Sequence, residues 1–108
     1  MDKREVFDVE LQELAQFAKV ISHPARLAIL KYLAETKTCI SGEISEHLPL
    51  SRATVSQHLK ELKNSGLIHG EVEGLKINYC LCGSTIKKFK SHFNEFFIDE
   101  SFCLTNQC

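Results

Sequence analysis

The stretch Leu48-Pro49-Leu50-Ser51-Arg52-Ala53-Thr54-Val55-Ser56-Gln57-His58-Leu59-Lys60-Glu61-Leu62-Lys63-Asn64-Ser65-Gly66 decides how this chain folds. Pro49 cannot continue a helix arriving from its N-terminal side, and Ser51 is a good N-cap for a new one. Val55, Leu59 and Leu62 then recur at steps of four and three, which puts them on one face of a helix that Gly66 stops. Upstream, Ser41 is placed to cap a short third helix through Glu43, Ile44 and Leu48. Two helices joined by the tight Leu48-Pro49-Leu50 link have the form of a helix-turn-helix.

Working outward, Phe7, Leu11, Leu14, Ala18 and Ile21 share one face of a first helix that ends before Pro24. Pro24 suits the first turn of a second helix, in which Leu27, Leu30 and Ala34 form the apolar stripe toward Thr36. Thr38-Cys39-Ile40 is short and rich in strand-favouring side chains. Past Gly66 the period changes to two. Ile68 and Val72, then Ile77, Tyr79 and Leu81, make a β-hairpin with Glu73-Gly74 at its turn. Ser84 is placed to cap a last helix carrying Ile86, Phe89, Phe93 and Phe96, and a loose tail is expected from 99 to 108. The expected architecture is mainly α with a small β-hairpin, in the order α-α-β-α-α-β-β-α. It forms one domain over residues 1–108, with a core spanning about 8–98.

Bulk properties bound the function. The 108 residues are 44% apolar and 25% charged, with a formal net charge of -1, as in an ordinary folded domain. No apolar run approaches the roughly twenty residues of a membrane span, and the mixed-charge N-terminus lacks the apolar stretch of a secretory signal. A cytoplasmic protein is expected. No glycine-rich phosphate loop, paired-carboxylate arrangement or nucleophile elbow appears, so an enzyme is not expected. The near-neutral balance hides a local bias. Residues 51–66 hold Arg52, Lys60 and Lys63 against Glu61 alone, whereas Asp2, Glu5, Asp8, Glu10 and Glu13 crowd the N-terminus.

With Val55, Leu59 and Leu62 turned inward, Ala53, Gln57 and Lys60 face away, and Arg52, Thr54 and Ser56 lie at the margins. These side chains suit double-stranded DNA. Arg reads guanine, Gln reads adenine, Ser and Thr bond phosphates or bases, and Ala meets a thymine methyl. Ser51, Arg52, Ala53, Thr54, Ser56, Gln57, Lys60 and Lys63 are therefore the expected DNA-binding set, with Lys76 added from the hairpin. Glu71 and Glu73 near the wing tip oppose phosphate, offset by His69 and Lys76. The bland alternative is an amphipathic surface helix with solvated charges. His23 and His58 read as packing or capping groups.

Two segments carry a specific resemblance. Ile21-Ser22-His23-Pro24-Ala25-Arg26-Leu27-Ala28-Ile29-Leu30 is similar to the "HPxRLxIL" helix of the ArsR-type (ArsR/SmtB) winged helix-turn-helix repressors, and Ser51 to Lys60 resembles their "SxxTVSxHL" recognition helix. The resemblance extends over residues 8–98. It implies a homodimer formed by the first and last helices, here through Leu11, Leu14, Phe89, Phe93 and Phe96. It also implies a sequence-specific repressor whose effector lowers DNA affinity.

Five cysteines, an odd number, read as thiols rather than a disulfide framework. Relatives that sense arsenic often carry Cys-x-Cys at the third helix, whereas Cys39-Ile40-Ser41 keeps one thiol of that pair. If Ile77, Tyr79 and Leu81 face the core, alternation sends Cys80 and Cys82 to the other face, and Cys39 with them. In the resembling fold the short strand pairs with the second hairpin strand, which makes Cys39 and Cys80 cross-strand neighbours. Cys39, Cys80 and Cys82 are the expected ligands for As(III) or another thiophilic ion, or a redox group. The alternative is small, incidental side chains. His92 and Glu95 match half of a second metal site of the family, but an aspartate or histidine is missing ahead of the last helix, and a solvated pair is the simpler reading. Cys103 and Cys108 are left unassigned. A regulator without a metal effector and a winged-helix module that binds protein remain the rival readings.

Overall fold

A computed structural model describes residues 6–36, 40–41 and 43–98, leaving aside the side chains of residues 40, 41, 43, 73 and 76. In chain order come α1 (Val9–Val20), α2 (Pro24–Thr36), β1 (Ile40–Ser41), a 3-10 helix (Glu43–His47), α3 (Arg52–Asn64), β2 (Ile68–Glu73), β3 (Lys76–Leu81) and α4 (Gly83–Ile98). The expected order holds, with one correction: the third helix is 3-10 rather than α. It spans five residues before Leu48-Pro49-Leu50, and so short a segment gains little from the α geometry. Stacking of Tyr32 on His47, at 4.8 Å between ring centroids, holds it against α2.

The strands form one antiparallel sheet in the order β1-β3-β2. Ile40 lies opposite Tyr79, and β2 pairs with β3 from Ile68 opposite Leu81 to Glu73 opposite Lys76. Gly74, at φ 64°, opens the two-residue turn that joins them, a left-handed conformation that glycine adopts without strain. At the hairpin's base, Cys82 N–H donates to Leu67 C=O at 2.9 Å, tying the exit of the wing to its entry.

The core gathers Val20, Ile29, Leu33, Ile44, Val55, Leu59, Leu62, Leu67, Ile68 and Phe89. Helix α2 departs from expectation. Ile29 and Leu33 face the core, whereas Leu27 is 48% exposed and Ala34 lies in solvent. Its sequence is apolar on several sides, so periodicity alone did not choose the buried stripe. In α1, Phe17 and Val20 reach the core while Leu11 stays exposed, and Phe7, expected on this helix, lies exposed ahead of its start at Val9. At the other end of the chain, Ile86 N–H donates to Cys82 C=O, so Cys82 rather than Ser84 takes the cap position of α4.

Candidate nucleic-acid interface

Helix α3 is framed at both ends as the sequence requires. Ser51 sits at φ -68° and ψ 157°, and its hydroxyl oxygen accepts from Thr54 N–H at 3.2 Å. The same hydroxyl donates to the Thr54 hydroxyl at 2.9 Å, so two expected DNA-facing residues also hold the cap. At the other end Gly66 takes φ 82°. Its N–H donates to Lys63 C=O, and Leu67 N–H reaches back to Leu62 C=O. That pair of bonds is a Schellman closure, and buried Leu62 and Leu67 supply its apolar partners.

The inward face of α3 carries Val55, Leu59 and Leu62 as expected, and His58 joins them. Arg52, Ala53, Ser56, Gln57, Lys60 and Lys63 are exposed, and Thr54 is half-buried. The Lys63 ammonium leans toward β2, 3.8 Å from where a Cβ on Gly70 would stand. The polar residues of the first two turns are thus presented together, with Lys63 set apart at the far end. Lys76 stands beside the hairpin turn opposite Glu73, and its side chain lies outside the described residues.

His58 is the contribution that periodicity in apolar residues missed. Its position, three after Val55 and four before Leu62, is the signal that would have placed it inside. It is 8% exposed. Its Nδ1 accepts from Arg26 Nε at 3.2 Å, while Arg26 Nη1 donates to Val20 C=O at 3.1 Å. One guanidinium therefore ties α1, α2 and α3 together. The His23 ring lies 4.3 Å from that of His58, and its Nδ1 accepts from Ala25 N–H at the start of α2. Both histidines pack or cap. Burial, then the neighbouring His23 and Arg26 charges, hold the His58 pKa below its ordinary value.

The cysteines separate. Cys80 is buried on the outward face of β3, opposite His69, and is disulfide-bonded. Cys82 is a free thiol at the start of α4, within 3.4 Å of the Ser84 hydroxyl and accepting from Thr85 at 3.3 Å. The Ser84 hydroxyl first, and Thr85 second, lower its pKa to about 7. The expectation that Cys82 shares a face with Cys80 is corrected: β3 ends at Leu81, and the chain turns into α4 before alternation reaches Cys82. Cys39, Cys103 and Cys108 lie outside the described residues.

Residues 23–69 match the family described as "Bacterial regulatory protein, arsR family". The HTH-type transcriptional regulator YgaV of Escherichia coli (strain K12) is 33% identical over 70 residues, which cover 65% of this chain and 71% of YgaV. The HTH-type transcriptional regulator CmtR of Mycobacterium tuberculosis (strain H37Rv) is 33% identical over 75 residues, 69% of this chain. That match spans 63% of the length of CmtR. The chain belongs to the ArsR family.

A homodimeric winged helix-turn-helix DNA-binding domain from Mycobacterium bovis superimposes with a TM-score of 0.65 at 25% identity, over 93% of this chain and 88% of that one. The ArsR-family match at 23–69 runs from the start of α2 to the start of β2, so it contains α2 and both helices of the helix-turn-helix, the 3-10 helix and α3. The hairpin that follows α3 is the wing. Its tip exposes Glu71 and Val72, and Leu75 at the turn is fully exposed. Among the described residues no helix of this ArsR-family chain is long and apolar enough to cross a membrane.

Proposed function

We propose that this chain is a sequence-specific repressor that binds double-stranded operator DNA as a homodimer in the cytoplasm. The carrying observation is α3: an N-capped helix whose Val55, His58, Leu59 and Leu62 are buried while Arg52, Ala53, Ser56 and Gln57 stand exposed on its first turns. A winged helix-turn-helix lays the N-terminal part of this helix in the major groove, and that is where these residues lie. Ser51, Thr54 and Lys60 add phosphate and base contacts, and Lys63 and Lys76 act at the edges of the footprint. The regulator relatives support the same reading.

The protomers join through α1 and α4. Leu11, Leu14, Phe93 and Phe96 serve there, together with Phe97, which is 61% exposed. Phe89, expected at the same surface, lies in the protomer's own core, with its ring centroid 3.4 Å from that of Phe17. Repression is relieved by a thiophilic ion of the As(III) class or by thiol oxidation, acting through Cys80. In support, Cys80 is already engaged in a disulfide, and Cys39 immediately precedes Ile40, the residue opposite Tyr79.

Fluorescence anisotropy on duplexes selected from a random pool tests the reading. The expected result is a near-palindromic preference and an affinity that falls steeply with salt. Gln57→Ala should relax the preference at one position per half-site. Binding to no duplex at low ionic strength would overturn the reading and favour a protein-binding module.

A further inference from the structure

On the outward face of the wing, His69 and Glu71 of β2 stand beside Cys80 of β3. One ligand-type atom from each, a ring nitrogen, a carboxylate oxygen and the sulfur, lies within 4.8 Å of the others. The register explains the grouping. His69 is directly opposite Cys80, and Glu71 follows on the same face two residues along β2. We propose that these three side chains form a site for a divalent transition-metal ion of the zinc class, open only when the Cys80 disulfide is reduced.

The donor set selects the ion. One nitrogen, one oxygen and one sulfur suit a borderline cation, whereas magnesium and calcium call for oxygen alone and a lone thiolate is too few for As(III). A neutral imidazole, a carboxylate and a thiolate carry two negative charges, which a divalent ion neutralises. Ordinary zinc bond lengths set neighbouring ligand atoms about 3.3–3.6 Å apart. The closing movement falls to His69 and Glu71, both exposed, while Cys80 at 6% exposure stays fixed. A fourth tetrahedral position is left open.

The disulfide is the gate. A reducing dithiol delivers two electrons and two protons to the S–S bond, giving two protein thiols and becoming a disulfide itself. The Cys80 thiol then loses its proton to solvent as sulfur binds the cation. With the disulfide intact this site has no thiolate, because the Cys80 sulfur is held in the S–S bond, and the set falls to two ligands. The site rests on the hairpin register and not on DNA binding, so the two readings fail separately.

Cobalt(II) is the probe, titrated into the full chain after reduction with a phosphine and, in parallel, into the oxidised chain. Reduced protein should take up one equivalent per chain, with a thiolate-to-cobalt charge-transfer band that zinc(II) displaces and magnesium does not; oxidised protein should show no such band. Cys80→Ser should abolish the band. His69→Gln and Glu71→Gln, at exposed positions, should keep a wild-type circular-dichroism spectrum and weaken binding about tenfold or more, since even outer-sphere partners contribute that much. A band that survives Cys80→Ser, or wild-type affinity in both the His69→Gln and Glu71→Gln variants, would overturn the site.

Discussion

His58 concentrates the pH response of the fold. Its Nδ1 accepts from Arg26, so the neutral ring is the form that the structure holds, and burial keeps its pKa below the ordinary value. A base held down in the native state binds more protons when unfolded. Its contribution to stability is therefore complete above its unfolded pKa of about 6.5 and is lost as pH falls through the lowered native value. His58→Asn keeps an acceptor and removes the titration. Urea melts at pH 7.5 and pH 5 should show the wild type losing more stability than this variant; equal losses would exclude His58 as the source. Cys82 is the second titrating residue of interest. With its pKa lowered to about 7, chiefly by the Ser84 hydroxyl, it should be alkylated at neutral pH faster than an ordinary thiol. Ser84→Ala should move the midpoint of its labelling rate upward, as followed by mass spectrometry of the Cys82 peptide. An unmoved midpoint would mean that the hydroxyl does not stabilise the thiolate.

The elements show what the sequence could and could not disclose. Helix α3 was legible throughout, because Ser51, the Val55-Leu59-Leu62 stripe and Gly66 each carry a local physical signal: a cap, a face and a stop. The hairpin was equally clear from its change of period. Helix α2 was not, since Ile29, Leu30, Leu27 and Leu33 offer competing faces and only tertiary packing chooses among them. The pairing of His69 and Glu71 with Cys80 was likewise hidden, because it depends on a cross-strand register that no single segment encodes. The closure at Gly66 gives this scale its test. A Cβ there would meet Thr85 only at ordinary contact distance, 3.6 Å, so the cost of a side chain comes from φ 82° alone. Gly66→Ala should destabilise by about 1–2 kcal/mol, the penalty for an L-residue in the left-handed region. Gly66→Asn should cost less, as asparagine tolerates that region. Chemical denaturation would show the ranking, and an Ala variant as stable as wild type would mean that the turn relaxes away from its left-handed form.

At the scale of the whole molecule, the question is what covers the apolar surface left at the α1 and α4 ends. Val6, Phe7, Val9 and Leu11 at the start of the chain, and Phe97 and Ile98 at the end of α4, are all exposed in the single protomer. The two helices pack on one another through Phe17, Phe89 and His92, and so form one packed unit. A two-fold contact across that unit would bury both clusters and fix the separation of the two α3 helices. Operator geometry requires about 34–36 Å, one turn of DNA, between recognition helices. Leu11→Asp and Phe97→Asp place a charge on this surface without entering the core, so each protomer should keep its helical circular-dichroism signal. Light scattering should report monomers for the double variant and dimers for the wild type. Its operator affinity should fall toward the non-specific level, typically a thousandfold or more below specific binding, because each half-site contact would then form alone. A double variant that stays dimeric would move the interface elsewhere, and a monomer that retains full operator affinity would break the link between two-fold assembly and DNA reading.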